Sequence, residues 1–176
     1  VWMNGWLTSH SNNKKQRSYN MAIPIMILGE SGSGKTRSAK SLNPAETLII
    51  QPIKKPLPFR SADWKAWDKE TKTGSVVRTD KYQVIKKWID AAESLGKKTI
   101  VIDDAQYIML NDELRRSDET GFKKFVEMAK DYVDLITHIT NHESNLIVYF
   151  MTHIETSEDG RMTAKTTGKM IREKVV

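Results

Sequence analysis

The stretch AIPIMILGESGSGKT, residues 22–36, decides the fold, because an apolar run passes directly into a glycine-rich turn. The run AIPIMIL is unbroken and contains β-branched residues, which is typical of a strand in a parallel sheet covered on both faces. The turn GESGSGKT (29–36) fits the pattern G-x-x-x-x-G-K-[ST]. The next segment, KTRSAKSL (35–42), predicts a short helix that ends at Asn43 and Pro44.

The glycine turn predicts a phosphate-binding loop. Glycines allow a tight turn that points several backbone N–H groups into one concavity, and the helix start adds its positive dipole end. Lys35 has the reach to contact β- and γ-phosphates, and the Thr36 hydroxyl suits Mg²⁺, which prefers oxygen ligands. The alternative is a turn that matches by chance. The expected nucleotide contacts are Gly29, Glu30, Ser31, Gly32, Ser33, Gly34, Lys35, Thr36 and Arg37.

A second candidate site is IVIDD (100–104), where a buried strand ends in two acids. Ligands of open α/β sheets bind at this carboxyl edge, so Asp103 is expected to hold Mg²⁺. Asp104 is the candidate for activating the attacking water, and its alternative role is N-cap of the following segment. Gln106 is a second candidate for positioning that water.

The strand NLIVYFMTH (145–153) ends on two further polar residues, Thr152 and His153. Either can sense a γ-phosphate from a neighbouring strand, and a capped strand end is the alternative. The candidate catalytic residues are Lys35, Asp104 and His153.

Basic residues recur in the C-terminal segment. One of them can offset transition-state charge, in cis or from a neighbouring subunit, or contact DNA phosphates. The alternative is a solvated basic face. These residues are Arg161, Lys165, Lys169 and Arg172.

The rest of the chain alternates between apolar runs and amphipathic segments, which predicts an α/β protein with a mainly parallel sheet flanked by helices. The proline-containing residues 53–74 predict a long irregular connection, in which Trp64 and Trp67 form a binding surface or pack the connection down. The last residues predict a turn at 158–160 and a partly helical tail. The other predicted elements are strands at 47–52 and 75–79, a buried strand after a charged entry at residue 97 and before the two aspartates, a helix from Tyr82 that ends at Gly96, and a helix from 120 to about 141.

Composition limits the class of protein. The chain has 176 residues, net charge +6 and no cysteine, so one domain without disulfides or thiolate metal sites is expected. No apolar run approaches membrane-spanning length and no signal core is present, which favours a cytoplasmic protein without membrane contact. Met21 precedes the first apolar run, so we expect a domain over 21–176 and a non-native or flexible extension over 1–20.

Several motifs together resemble the small phage-encoded AAA-family ATPases, with a RecA-like core, of recombination and replication gene clusters. The resemblance covers the chain from about residue 21 onward. It implies a RecA/AAA-type core, ATP and Mg²⁺, and work on DNA, often with a single-strand-binding protein. The motifs are GESGSGKT, KPLPFR (55–60), TIVIDDAQY (99–107), MTH (151–153) and KTTGKM (165–170).

The resemblance assigns phosphate binding to Gly34, Lys35 and Thr36, and magnesium to Thr36 and Asp103. Family members usually continue into a further strand, so we expect a chain that is truncated or naturally short at its C-terminus. The expected function is a DNA-linked, Mg²⁺-dependent ATPase that binds single-stranded DNA, with homo-oligomerisation left open. The alternatives are a nucleotide-dependent switch or assembly module with little turnover, and a P-loop small-molecule kinase.

Overall fold

The fold is built on a six-stranded sheet, seen in a computed structural model that describes residues 20–156 and 160–166. Its strands are β1 Ile23–Gly29, β2 Thr47–Gln51, β3 Val76–Arg78, β4 Thr99–Asp103, β5 Ile147–Thr156 and β6 Met162–Ala164. The helices are α1 Lys35–Ser38, α2 Tyr82–Ala91, α3 Gln106–Arg115 and α4 Lys123–Thr140. Short 3₁₀ turns, Ala39–Ser41 and Glu93–Leu95, extend α1 and α2.

Strands β1 to β5 are parallel and lie in the spatial order β1-β5-β4-β2-β3, with β6 antiparallel to β5. Strand β5 therefore separates β1 from β4. In register, Gly29 lies opposite His153, and Asp103 lies opposite Met151. The glycine loop, the two acids and His153 of β5 consequently share one edge of the sheet.

The central strands are buried on both faces, because their alternate side chains enter two separate apolar layers. Leu48 and Ile50 of β2 face helices α2 and α4, whereas Ile49 faces the opposite layer. That second layer is covered by residues of the long connection, including Leu57 and Trp64. The predicted α/β architecture with a mainly parallel sheet is confirmed.

The two tryptophans of the long connection are packing residues. Trp64 is buried, with its ring edge-on to Phe59 at 6.0 Å between centroids. Trp67 packs edge-on against Trp88 of α2 at 5.0 Å. Of the two interpretations of these side chains, the one in which they hold the connection against the body of the protein is confirmed.

Two elements differ from the sequence predictions. Helix α3 was not predicted, because its apolar residues 107–110 are consecutive and show no helical spacing. Residues 162–164, expected in a partly helical tail, form β6, which pairs with the extended end of β5. Residues 158 and 159 of the predicted turn lie outside the described residues. Residues 1–19 and 167–176 lie outside them as well. None of the helices described has the length and apolarity that crossing a membrane requires.

We expect Gly74→Ala to destabilise the protein strongly. Gly74 has φ +129°, and an added Cβ would lie 2.6 Å from Trp67 Cα and 2.7 Å from Ala66 O. The expected loss of unfolding free energy is about 2–4 kcal/mol, measured by urea denaturation. Gly121→Ala is the control, since φ there is +84° but no atom lies within 4 Å of the new Cβ. It should lose only about 1 kcal/mol, and equal losses in the two variants would contradict the steric argument.

Candidate functional site

The loop between β1 and α1 presents unused backbone donors. Gly32 and Gly34 have φ +78° and +91°, a left-handed backbone that glycine adopts without steric penalty. Within the described part of the chain, the N–H groups of Gly32, Gly34, Lys35 and Thr36 donate to no other residue. Donors left open around a turn at a helix start form an anion-binding concavity.

The ammonium group of Lys35 lies on the loop itself. Its Nζ donates to the carbonyl oxygens of Gly29 at 2.7 Å and Glu30 at 2.8 Å. Burial lowers the pKa of Lys35 below its ordinary 10.5, and the positive charge of Lys55 acts in the same direction, against the nearby carboxylates. Gly29 and Glu30 thus contribute carbonyl groups that hold Lys35.

A hydrogen bond joins the loop to the acid-ended strand. Thr36 Oγ1 donates to Asp103 Oδ1 at 2.6 Å. Asp103 is only 1% exposed, and its second oxygen, Oδ2, accepts no hydrogen bond from the described residues. Lys55 Nζ lies 3.0 Å from that oxygen, so the contact is ionic rather than a directed hydrogen bond. A buried carboxylate oxygen whose charge is met, among the described residues, only by this ion pair is an environment in which a cation is favourable.

Thr36 and Asp103 therefore fit the Mg²⁺ that the sequence predicts at this site. A hydroxyl and a buried carboxylate supply the oxygen ligands that this ion prefers, and Mg²⁺ is commonly held by one or two carboxylates together with phosphates and water. Residues 20–156 and 160–166 contain no group of three His, Cys, Asp or Glu side chains placed to hold a metal ion. A shell completed by phosphate oxygens and water is consistent with this.

Asp104 adopts a strained backbone that turns it toward the same place. Its φ is +64°, which is unusual for a residue other than glycine. Its Oδ2 accepts from Lys55 Nζ at 2.6 Å, and its Oδ1 lies 3.2 Å from His153 Nε2. An ionised carboxylate only accepts, so Nε2 is the donor there. The alternative N-cap role of Asp104 is wrong, because α3 begins after Ala105 and has no side-chain cap.

Lys55 belongs to this site although no chemical role was predicted for it. It lies in the long connection, and its Nζ also donates to Thr36 Oγ1 at 3.4 Å. Burial opposes its charge, but the hydrogen bond to Asp104 and the charge of Asp103 outweigh burial and raise its pKa above 10.5. The motif KPLPFR, in which Lys55 is the first residue, was the available signal in the sequence.

The strand predicted at 145–153 continues to Thr156, so Thr152 and His153 lie within β5. Of these two residues, His153 faces the site and Thr152 does not. Thr152 is buried, and its Oγ1 donates to Gln106 Oε1 at 3.0 Å. The same Oε1 accepts from the His153 backbone N–H at 3.3 Å. Through these two hydrogen bonds, the Gln106 amide oxygen holds the start of α3 against β5. His153 is thereby positioned beside Asp104.

These groups surround a cavity of about 470 Å³, large enough for a small-molecule ligand. Gly29, Glu30 and Asp103 are not among the residues that line it. The lining consists of Ser31, Gly32, Ser33, Gly34, Lys35, Thr36, Arg37, Lys55, Pro56, Pro58, Asp104, Tyr107 and His153.

A larger cavity of about 660 Å³ lies at the opposite, amino edge of the sheet. Its Lys97 is buried and donates to the carbonyl oxygens of Pro44, Ala45 and Gly74 at 3.1, 2.9 and 2.9 Å. All three ammonium hydrogens are thereby used. Lys97 therefore links the segments that precede β2, β3 and β4 and has a structural role. The residues of the predicted phosphate loop, Asp104 and His153 line the smaller cavity instead.

The predicted basic residues of the C-terminal segment are only partly described. Arg161 and Lys165 are exposed and flank β6, and the Lys165 backbone N–H donates to the His153 carbonyl oxygen at 2.7 Å. Lys169 and Arg172 lie outside the described residues.

A parallel sheet with a glycine loop after β1, a strand ending in acids, and a third strand between them defines a P-loop nucleotide-binding protein. A family model described as an AAA domain matches residues 21–175. The chain belongs to this family of AAA-type P-loop ATPases, which supports ATP binding and ATPase activity as its general function. No curated protein sequence matches the chain.

We expect Lys35→Ala to weaken ATP binding by ~100-fold, equivalent to about 2.7 kcal/mol, because the phosphates lose their cationic partner. Fluorescent-nucleotide titration measures the affinity, and circular dichroism checks that the fold is retained. Lys40→Ala is the matched control, since Lys40 is exposed in the turn that follows α1. ATP affinity that survives in Lys35→Ala would refute the phosphate role of the loop.

Proposed function

We propose that this protein is a Mg²⁺-dependent ATPase that works on DNA in phage recombination or replication. The observation that carries the proposal is the linked network at the cavity edge, in which Thr36, Asp103, Asp104 and His153 contact one another or a shared lysine. Helix α1, the end of β4, strand β5 and the long connection supply this network, and phosphoryl transfer depends on such positioning of groups around the phosphate.

Binding and orientation of ATP are assigned to the loop. The open N–H groups of Gly32, Gly34, Lys35 and Thr36 would donate hydrogen bonds to phosphate oxygens. The Lys35 ammonium would move from the carbonyl groups of the loop to the phosphates. Thr36 and Asp103 would hold Mg²⁺, which when bound neutralises charge that develops on the phosphates. Positioning and electrostatic stabilisation are the main contributions expected of such a site.

Asp104 is proposed as the residue that activates water. As the water oxygen bonds to the γ-phosphorus, the bond to the β–γ bridging oxygen breaks and its electron pair leaves with ADP. The proton released by the water goes to the Asp104 carboxylate. His153 holds the other carboxylate oxygen and so orients the base. The left-handed backbone at Asp104 supports this role, because strained residues cluster at functional sites.

Asp104→Asn should lower ATP turnover by ~100-fold while ATP affinity changes by less than about threefold, because the amide cannot take the proton. Phosphate release with Mg²⁺ and with EDTA measures turnover and its metal dependence. Asp118→Asn is the matched control, since Asp118 is exposed in the connection before α4. Undiminished turnover in Asp104→Asn would remove Asp104 from the mechanism.

The DNA part of the proposal is supported by the resemblance of the sequence motifs and permitted by the net charge of +6. The partners proposed are single-stranded DNA and a single-strand-binding protein, in the cytoplasm of a host cell. Assembly into a homo-oligomer would allow a basic residue of the C-terminal segment to reach a neighbouring site.

We expect single-stranded DNA to raise ATP turnover by ~10-fold at low salt, and the stimulation to fall as salt increases, because phosphate contacts release counterions. Turnover measured with an oligothymidine at increasing NaCl tests this, with double-stranded DNA of equal length for comparison. A single basal rate that neither DNA nor salt changes would contradict the DNA role and leave the ATPase proposal intact.

A nucleotide-dependent switch with little turnover is the second candidate. It is favoured by the occupation of both Asp104 oxygens and by the absence of glutamate from the described cavity lining. Its signature would be tight ATP binding and a nucleotide-dependent change of assembly state, with negligible phosphate release.

A further inference from the structure

We propose that Lys55 is a catalytic cation that exchanges partners, holding Asp103 and Asp104 without nucleotide and contacting the terminal phosphate once a metal–nucleotide complex enters. The inference deepens the ATPase function proposed above and rests on it. Lys55 lies outside the glycine loop, outside the strand that ends in the two acids, and outside the basic C-terminal segment.

The position of the Lys55 ammonium is the first support. Its Nζ lies 3.0 Å from Asp103 Oδ2, 2.6 Å from Asp104 Oδ2 and 3.4 Å from Thr36 Oγ1. Thr36 and Asp103 are the residues that fit Mg²⁺. The ammonium group therefore contacts the same residues, so the ammonium and a divalent cation would compete for their oxygens.

The backbone of Lys55 is fixed while its side chain can turn. The Lys55 carbonyl oxygen accepts from Nε2 of the buried Gln51 at 3.2 Å, and Pro56 follows directly. The Lys55 side chain is 25% exposed and lines the cavity. A lysine has a flexible four-carbon stem and a compact charge, so its ammonium can change partners without movement of the connection.

Charge determines the direction of the exchange. In the nucleotide-free site the two carboxylates form ion pairs with Lys55, and the Lys35 ammonium is near enough to interact with both acids and with Lys55. An incoming divalent cation would repel the Lys55 ammonium, and the positive charge of Lys35 adds to that repulsion. The terminal phosphate brings negative charge into the same cavity and attracts it. Lys55 would then offset charge on the γ-phosphoryl group while the bond to ADP breaks and the bond to the water oxygen forms. Lys55 itself transfers no proton.

The exchange also frees the proposed base. In the nucleotide-free site, Asp104 Oδ2 is held by Lys55 and Oδ1 by His153. Departure of the ammonium leaves Oδ2 available to accept a proton from water, while His153 keeps its hold on Oδ1. Activation of the base is thereby coupled to entry of the triphosphate. In the empty site, Lys55 prevents Asp104 from accepting a proton from water.

Lys55→Met tests the proposal, because methionine keeps an unbranched apolar stem and removes the charge. We expect nucleotide-free protein to bind Mn²⁺ ~10-fold more tightly, since the cation no longer competes with an ammonium. ATP affinity should fall ~10-fold with ADP affinity unchanged, since ADP lacks the terminal phosphate, and turnover should fall ~100-fold. Electron paramagnetic resonance measures Mn²⁺ binding, and nucleotide titration measures the ATP-over-ADP preference.

Lys54→Met is the matched control, because Lys54 is exposed and adjacent. Lys55→Arg keeps the charge and should retain the ATP-over-ADP preference, which keeps the test decisive if Lys55→Met does not fold. Unchanged Mn²⁺ affinity, or an unchanged ATP-over-ADP preference, in folded Lys55→Met overturns the proposal. If wild-type protein binds ATP but does not hydrolyse it, the ATPase function fails, whereas a lost preference in Lys55→Met still supports the partner exchange.

Discussion

The hydrogen bond from Thr36 Oγ1 to Asp103 Oδ1 is the contact on which the site depends. It forms because β1 and β4 both pair in parallel with β5, which brings the first residues of α1 beside the last residue of β4. The parallel arrangement is in turn favoured by buried strands that enter apolar layers on both faces. The same parallel pairing that buries the strands therefore also places the phosphate loop beside Asp103.

Charge compensation around the buried acids explains the rest of the arrangement. Asp103 and Asp104 are almost inaccessible to water, so their charges require a partner inside the protein. Lys55 supplies it from a connection that also covers the second face of the sheet through Leu57 and Trp64. The long connection is therefore both part of the core and part of the site, which accounts for its fixed course despite its lack of regular structure.

Much of the fold was predictable, because long buried strands and amphipathic helices leave strong local signals. Helix α4 and strands β1, β2 and β4 were predicted within a few residues of their observed bounds. Helix α3 was missed since its apolar residues are consecutive, and β6 since it exists only through pairing with β5. His153 of β5 was one of two residues predicted to face the site, the other being Thr152. Packing decided between them, because the Thr152 hydroxyl donates to the Gln106 side chain instead.

The sequence by itself determined the phosphate loop and the acids, because their residue types and spacing follow from local backbone chemistry. A glycine turn between a strand and a helix, and carboxylates at a strand end, can be recognised without knowing what they touch. Only the tertiary structure decided the partners of Asp104, the side chain that faces the cavity from β5, and the presence of Lys55 among the acids. These are contacts between segments about 50 residues apart in sequence, and strand order and side-chain packing, not local spacing, decide which of them form.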